Sequence, residues 1–563
     1  MITDERQMVN GEDYADLVIF YLNNRALLEG YRDSYIHYIN EAFAVVHIPA
    51  SQINMRTLNP FRYQIIPTVF VLTSEISLEA SGVTNLRNIP RFDLRGSGTL
   101  IGIIDTGIDY TNPLLLKPDG TTKIVSLWDQ TIDSGNSPYN TMFGTEYSSQ
   151  EINLALTSEN PTEIVPSTDD NGHGTMMAAV AAGNEDQQAE FAGVAPDAEL
   201  IVVKLRPAKQ YIKKFFIIPE DVLCYQENHI MWGVQYCINK ANELNKPIVI
   251  CLGIGSSQGS HTGQSSLSIF LSIYGDLPRR AVVISAGNEG NLGRHYSGTI
   301  DPSIGYNNVL LNVGENDTGF FMELWGTSPV IYSISILSPN GEYIPQISAS
   351  LQLNREISFI FDFSTIYIDY IITESESGDQ LILMRFENAT PGVWSFNVYS
   401  QGDLITDFNI WLPMGNIISD QTYFLQPDIY TTVTAPGTAE VPITITAYNP
   451  VNKNLYVNSS RGYTRSHTVK PDLAAPGVNY IAPNNNKEFV NYSGTGVATA
   501  HTAGIIAMIY EWAEIRGNRT GLDSVGIKDY LARGAIRSPT LIYPNRDWGY
   551  GILDIFNIFN ILR

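Results

Sequence analysis

Four short, continuous apolar runs, separated by helical stretches, constrain the fold of this 563-residue chain more than any other feature of its sequence. Runs of this length are typical of strands that are buried on both faces, and their alternation with helices indicates a parallel sheet covered by helices on each side. The sequence therefore predicts an α/β fold. The runs occupy residues 99–104, 200–203, 247–252 and 281–285, and helices are predicted at 175–182 and 230–244.

Different patterns lie before and within this α/β region. Residues 1–92 predict a small α/β unit, because strand-length apolar runs occur there with helical stretches such as 76–81, ahead of a turn-rich connector at 88–91. Between residues 303 and 426, apolar and polar residues alternate with period two, which predicts an antiparallel β-sandwich. Strands are predicted at 17–22, 42–48 and 69–72 in the first unit and at 330–336, 358–363, 381–384 and 394–399 in the sandwich.

The α/β pattern returns after about residue 431, so the sandwich is predicted to be inserted into the α/β domain and not appended to it. We therefore divide the chain into an N-terminal domain, a core in two parts and an inserted sandwich. Their predicted bounds are 1–92 for the N-terminal domain, 93–302 and 427–563 for the core, and 303–426 for the sandwich.

The charge and composition of the chain disfavour some partners and locations. Lys and Arg total 34 against 58 Asp and Glu, a formal net charge of −24, which disfavours binding of nucleic acid across the surface. No apolar run reaches the length of a transmembrane helix, and the acidic start of the chain predicts no secretory signal peptide. Three cysteines, Cys224, Cys237 and Cys251, cannot all pair, and we interpret them as small apolar packing residues of a reduced compartment.

Three segments contain residues that could take part in catalysis. Asp105 ends the first apolar run, where open α/β sheets place their sites. His173 lies between two glycines at the predicted start of a helix of small residues, so that its imidazole projects from the helix start. The third segment, residues 493–504, is a glycine-rich turn that opens a second helix of small residues and contains Gly496.

Other polar residues give weaker signals. His261, His295 and His501 are scattered and lack the spacing of metal ligands, so we expect ordinary polar histidines. Asp169 and Asp170 could ligate calcium, but we expect a solvated acidic loop. The chain has no phosphate-binding loop and no dinucleotide fingerprint, and we expect neither a cofactor nor a metal.

The order aspartate, histidine and then a glycine-rich helix turn resembles the subtilisin-like serine proteases, the subtilases. Supporting segments at 193–198, 252–255, 285–290, 459–462 and 470–477 resemble subtilase landmarks, and together the resemblance covers about 93–300 and 430–563. It implies that Asp105 orients His173, that His173 is the general base, and that Asn288 is the side-chain donor of an oxyanion hole.

Within the subtilases, the chain resembles the clostridial Csp proteins of spore germination. The similarity lies in the lack of a signal peptide, the N-terminal prodomain, the insertion and Ala500, where most subtilases have proline. It implies that the insertion is a jelly roll and that the end of the prodomain lies in the substrate cleft. It also implies synthesis in the cytoplasm of the sporulating cell, incorporation in the spore, and three kinds of partner: other Csp proteases, germination proteins or a germinant small molecule.

Gly496 departs from the family pattern, because it occupies the position of the nucleophilic serine. A subtilase acylates that side-chain oxygen, and glycine has none to acylate. The resemblance therefore implies an inactive pseudoprotease that regulates germination, with its prodomain still attached. The junction that active members cut themselves is expected between Ile89 and Arg95.

Two alternatives remain open. Gly496 could be an engineered or misread position in a working endopeptidase that cleaves a cortex-hydrolase zymogen, and the chain could also be a purely structural spore protein.

A serine restored at residue 496 is expected to give weak self-cleavage, with additional strain if Gly496 has a positive φ.

Overall fold

An eight-stranded sheet forms the centre of the protein in the computed structural model, which describes residues 2–76, 94–139, 141–189, 191–349 and 354–561. Neighbouring strands are parallel except the last pair, which is antiparallel, so the predicted parallel sheet is confirmed. The order across the sheet is Leu473–Pro476, Ile443–Tyr448, Arg280–Ser285, Ile248–Leu252, Leu100–Asp105, Glu199–Lys204, Ile124–Asp129 and Thr145–Ser148.

Helices cover both faces of this sheet, as the apolar runs predict. Two helices of small residues, His173–Ala182 and Thr495–Tyr510, are buried along their whole length on one face, where alanine and glycine permit close contact with the strands. The amphipathic helix Glu227–Leu244 and the helix Ser266–Gly275 cover the other face. Further helices are Ser149–Leu156, Pro161–Ile164, Gln210–Phe215, Ser524–Gly534 and Ile555–Ile561, with a π-helix at Glu511–Ile515.

The N-terminal domain contains a helix, Ile2–Asn10, and a three-stranded antiparallel sheet in the order Tyr14–Phe20, Phe43–Pro49, Tyr35–Tyr38. Phe43 and Val45 pack into the same apolar cluster as the helix Glu227–Leu244, so this domain lies against the helical face of the core. The helix expected at 76–81 and the connector at 88–91 lie outside the described residues, apart from Ile76, which ends the short strand Glu75–Ile76.

The insertion is an antiparallel sandwich of a six-stranded and a five-stranded sheet, in an order compatible with the jelly roll that the resemblance implies. It begins before the predicted residue 303, because the strand His295–Ile300 pairs with Thr406–Trp411. The first sheet is completed by Gly319–Gly326, Gln380–Glu387, Thr365–Ile371 and Asn354–Ser358, and the second contains Tyr343–Ile347, Ile331–Leu337, Gly392–Gln401, Tyr306–Val313 and Tyr423–Phe424.

The prediction of a strand at 358–363 was wrong. A strand ends at Ser358 and the next begins at Thr365, so most of the predicted segment forms the turn between two neighbouring strands. Ile360, Phe361 and Phe363 are 74%, 70% and 82% exposed there. The apolar residues of this turn therefore do not form one buried face of a strand.

The N-terminal domain, the core and the sandwich meet around one buried arginine. Arg385 of the sandwich is fully buried and donates hydrogen bonds to the carbonyl oxygens of Met55, in the N-terminal domain, at 2.8 Å, and of Phe215, in the core, at 2.9 Å. A third hydrogen bond reaches Asp369 at 3.0 Å, and Asp369 accepts one from the Thr57 hydroxyl at 2.7 Å. The sandwich is thus hydrogen-bonded to both other parts of the chain.

Within the described residues, the fold contains no helix that is long and apolar enough to cross a membrane.

Candidate functional site

Asp105 and His173, which the sequence analysis singled out separately, are in contact. Asp105 is the last residue of its strand, and His173 is the first residue of the helix that follows the loop. His173 Nδ1 donates a hydrogen bond of 2.7 Å to Asp105 Oδ1, and both side chains are buried. The pair therefore has the contact that orients an imidazole as a general base.

The loop before His173 is fixed by Asp169. The carboxylate of Asp169 accepts hydrogen bonds from the Thr106 hydroxyl at 2.7 Å and from the backbone and hydroxyl of Thr175 at 2.8 and 2.7 Å. Gly174 allows the close approach of helix and strand, since a Cβ there would lie 2.2 Å from the carbonyl oxygen of Gly107. Both oxygens of Asp169 are thus engaged within the protein and its side chain is buried, so the expectation of a solvated loop was wrong at Asp169.

Opposing effects set the protonation of His173. Burial lowers the pKa of the imidazole, but the neighbouring Asp105 carboxylate raises it through its charge and its hydrogen bond, and Asp169 adds to this effect. The net result is a pKa of His173 above its ordinary value.

We expect the stabilising effect of this pair to depend on pH. A histidine whose pKa is raised by folding stabilises the fold fully below its unfolded pKa of about 6.5 and loses that contribution as pH rises through the folded value. Asp105→Asn should therefore reduce the free energy of unfolding by about 1–3 kcal/mol at pH 5.5, and by less at pH 9. Urea unfolding of both proteins at the two pH values measures this, and an equal loss at both would contradict it.

A strand of the protein's own chain lies in front of this pair. Val69–Leu72 pairs antiparallel with Ile254–Gly255 on one side and with Tyr225–Gln226 on the other. Past Thr73 and Ser74, the strand Glu75–Ile76 pairs with Phe489–Ser493. We call residues 69–76 the cleft strand, because they run across the carboxyl side of the central sheet as an extended segment held by backbone pairing on both sides of Thr73 and Ser74.

Two donors converge on one carbonyl oxygen of the cleft strand. The oxygen of Thr73 accepts hydrogen bonds from Asn288 Nδ2 at 2.7 Å and from the backbone nitrogen of Gly496 at 3.1 Å. The orientation of the Asn288 amide is fixed by Thr495, whose backbone nitrogen and hydroxyl both donate to Asn288 Oδ1 at 3.1 Å. Two donors on one peptide carbonyl are the geometry of an oxyanion hole, and here it is filled by Thr73.

The bond that follows this carbonyl joins Thr73 to Ser74. Thr73 is held further by its nitrogen, which donates to the Gly253 carbonyl at 3.0 Å, and by its hydroxyl, which donates to Ser285 at 2.9 Å. A Cβ on Gly253 would lie 3.0 Å from His173 Cε1, so the imidazole lies beside the residue that holds Thr73. The residues that the sequence assigned to the site therefore surround the Thr73–Ser74 bond.

Gly496 contributes a backbone donor and no side chain to this site. It is the second residue of the helix Thr495–Tyr510 and has no positive φ, so the strain considered for a serine at residue 496 is absent. A Cβ at Gly496 would lie 2.2 Å from Ser74 Oγ. Among the described residues, neither Ser74 Oγ nor His173 Nε2 has a hydrogen-bond partner, although both atoms are buried.

The cleft strand was not predicted from the sequence. Residues 69–72 were expected to form a strand of the N-terminal domain, and the junction with the core was expected between Ile89 and Arg95. Most of that segment lies outside the described residues, and the bond at the two donors is Thr73–Ser74. Nothing in residues 69–76 distinguishes a strand that enters the cleft from one that joins a domain's own sheet.

The remaining polar residues lie apart from this site. His261 and His295 both stack on Trp411, with ring centroids 4.0 and 4.8 Å apart, so two histidines that are scattered in sequence share one packing role. Burial lowers the pKa of His501 to about 4. All three cysteines are buried and free, as expected of packing residues.

An aspartate–histidine pair and an oxyanion hole at the carboxyl edge of a parallel sheet, in the chain order found here, are the site arrangement of the subtilisin class of proteins. The chain belongs to the subtilase family, whose model matches residues 96–350 and 415–551.

Among solved structures, the protein is similar to the CspB protease of Clostridium perfringens, with a TM-score of 0.75, 30% identity, and coverage of 84% of this chain and 94% of that one. Curated relatives are more distant. The PII-type proteinase of Lacticaseibacillus paracasei is 21% identical over 78% of this chain and 24% of its own length. The subtilisin-like protease SBT3.1 of Arabidopsis thaliana is 26% identical over 74% of this chain and 53% of its own length. The chain thus spans little more than half of these relatives at most.

Proposed function

We propose that this protein is a pseudoprotease of the Csp type, a subtilase that has kept its substrate cleft and lost its catalytic nucleophile. One observation carries the proposal: the backbone nitrogen of Gly496 donates to the Thr73 carbonyl at 3.1 Å. In a subtilase, the residue at this point of the helix provides both that donor and the nucleophilic oxygen. Gly496 can provide only the donor.

Neighbouring hydroxyls are poor replacements for the missing nucleophile. The Thr495 hydroxyl donates to Asn288 Oδ1 and accepts a hydrogen bond from the Gly287 nitrogen, each at 3.1 Å. Ser493 Oγ accepts a hydrogen bond from the Asn479 nitrogen at 3.0 Å. Removal of a triad member leaves only about 10³–10⁴-fold catalysis over water, which is far below that of a working protease.

Without self-cleavage, the prodomain stays covalently joined to the core, and the cleft strand stays in place. Such a protein acts by binding. From the similarity to CspB and the missing nucleophile, we propose a regulatory role in spore germination within the spore. Other Csp proteases, or a cortex-hydrolase zymogen whose activation they control, are the proposed partners, with a germinant small molecule as a further candidate ligand.

A second candidate function is a working endopeptidase of the same family. The contact between Asp105 and His173 and the two donors on Thr73 favour it, because three of the four elements of the catalytic site are intact. A hydroxyl supplied by another molecule or by the substrate would then have to replace the nucleophile.

Incubation with the cortex-hydrolase zymogen distinguishes the two functions. We expect a complex by size-exclusion chromatography and no new zymogen fragments by mass spectrometry. Fragments that appear with this protein and vanish with its His173→Ala variant would establish the endopeptidase. A seryl-directed phosphonate probe is less informative, because the cleft strand covers the site in either case.

A further inference from the structure

The side chain that Gly496 lacks has a counterpart in the cleft strand. An added Cβ at Gly496 would lie 2.2 Å from Ser74 Oγ, much closer than two such atoms can approach, whereas the next nearest atom, Thr73 Oγ1, is 3.1 Å away. The Ser74 hydroxyl therefore occupies the volume in which the nucleophile's side chain would begin. It is buried there and makes no hydrogen bond among the described residues.

We propose that Ser74 is a plug matched to Gly496: its hydroxyl fills the nucleophile's place and slows cleavage of the Thr73–Ser74 bond when a serine is restored at residue 496. The inference rests on the pseudoprotease proposal and deepens it, because it assigns part of the block to the cleft strand and not only to the missing oxygen.

The backbone on both sides of Ser74 is fixed, so the plug cannot withdraw as a unit. Before it, the Thr73 carbonyl is held by Asn288 and Gly496, and the Thr73 nitrogen is held by Gly253. After it, Glu75 and Ile76 are paired with Ser493 and Tyr492.

A serine restored at residue 496 must therefore either force the Ser74 side chain to rotate away or take a displaced position itself. The reacting oxygen has to reach both the imidazole of His173 and the Thr73 carbonyl. A misplacement of about 1 Å costs about 10²-fold in rate. We therefore expect the plug to slow a restored nucleophile by about 10–100-fold.

The experiment compares self-cleavage in Gly496→Ser with that in Gly496→Ser/Ser74→Ala. The alanine removes only the hydroxyl that meets the new Cβ. Gly496→Ser/Ser74→Thr is the matched control, because it keeps a hydroxyl at the same place. Intact mass followed over time measures the loss of full-length chain and the appearance of the 1–73 fragment, and His173→Ala in each background verifies that the cut uses the site.

We expect the Ser74→Ala combination to be cut at least about tenfold faster than Gly496→Ser alone, and the Ser74→Thr combination to gain nothing. Equal rates in Gly496→Ser and Gly496→Ser/Ser74→Ala, or no cut in either folded protein, would overturn the plug. In both cases an uncut natural chain would leave the pseudoprotease proposal intact. A His173-dependent cut in the natural chain would instead overturn the pseudoprotease proposal, and with it the plug.

A second measurement needs no catalysis. Gly496→Ala adds only the Cβ, and we expect it to lower the melting temperature more in the natural chain than in the Ser74→Ala background. An equal shift in both backgrounds would contradict contact between the two side chains.

Discussion

Asp16→Ala is expected to reduce the free energy of unfolding by about 3–5 kcal/mol, because it leaves a buried lysine without its counter-charge. Asp16 lies in the N-terminal domain and Lys209 in the core, and both are 1% exposed. Asp16 Oδ1 accepts hydrogen bonds from Lys209 Nζ and from His47 Nδ1, each at 2.8 Å. Asp16 Oδ2 accepts one from Gln226 Nε2 at 2.6 Å and one from Asn228 Nδ2 at 3.0 Å.

Protonation should not weaken this contact near neutral pH. Burial raises the pKa of Asp16, but the charges of Lys209 and His47 lower it by more, so the net pKa lies well below the ordinary value. A carboxylate with a lowered pKa contributes its full stabilisation above its unfolded pKa of about 4 and loses it only as pH falls through the folded value. Asp16→Ala should therefore remove the full stabilisation that this contact provides at pH 7.

Urea unfolding at pH 7 measures the change, with Glu29→Ala as the control. Glu29 pairs with Arg32 on the surface, where both side chains are more than half exposed, and its removal should cost less than about 1 kcal/mol. Asp16→Asn/Lys209→Met, which removes both charges, should cost less than Asp16→Ala. If Asp16→Ala resembled Glu29→Ala, the pair would not be part of what holds the N-terminal domain on the core.

Deletion of the sandwich is expected to give insoluble or protease-sensitive protein. Five large apolar side chains of the sandwich are buried in a cluster shared with the N-terminal domain and the core, and at about 2 kcal/mol each their loss removes roughly 10 kcal/mol. That is comparable with the whole stability of a typical domain. These side chains are Phe321, Trp325, Leu381, Leu383 and Trp411.

The deletion should span 295–426, so that no strand of the sandwich is left unpaired. Its control is Ile360→Ser/Phe361→Ser in the exposed turn of the sandwich, which should remain soluble with an unchanged melting temperature. A soluble deletion variant that melts at the temperature of the complete chain would contradict a structural role for the insertion.

The layers of the fold could be predicted from the sequence, and the residues proposed for the site lie together in the structure. Asp105 and His173 are found in contact because each lies at an element end that a parallel sheet brings to one edge. Asn288 and Gly496 are found on one carbonyl because the order of the motifs matches a family with a single architecture.

What the sequence did not predict depends on contacts between residues far apart in the chain. Leu72 pairs with Ile254, and Asp16 contacts Lys209, 193 residues away, but a strand pattern or a single aspartate carries no information about its partner. Local alternation was also insufficient at Phe361, where the pattern of a strand belongs to an exposed turn. The cleft strand, the Asp16 cluster and the Ser74 contact are therefore findings of the structure.

The intact mass of the purified protein shows whether the chain keeps its own strand uncut in a cleft that lacks a nucleophile. We predict a single species at the mass of the full chain, 62.4 kDa, that is unchanged after prolonged incubation and identical in behaviour to its His173→Ala variant. Fragments that end at Thr73 and begin at Ser74, formed by the natural chain and absent from His173→Ala, would contradict the account.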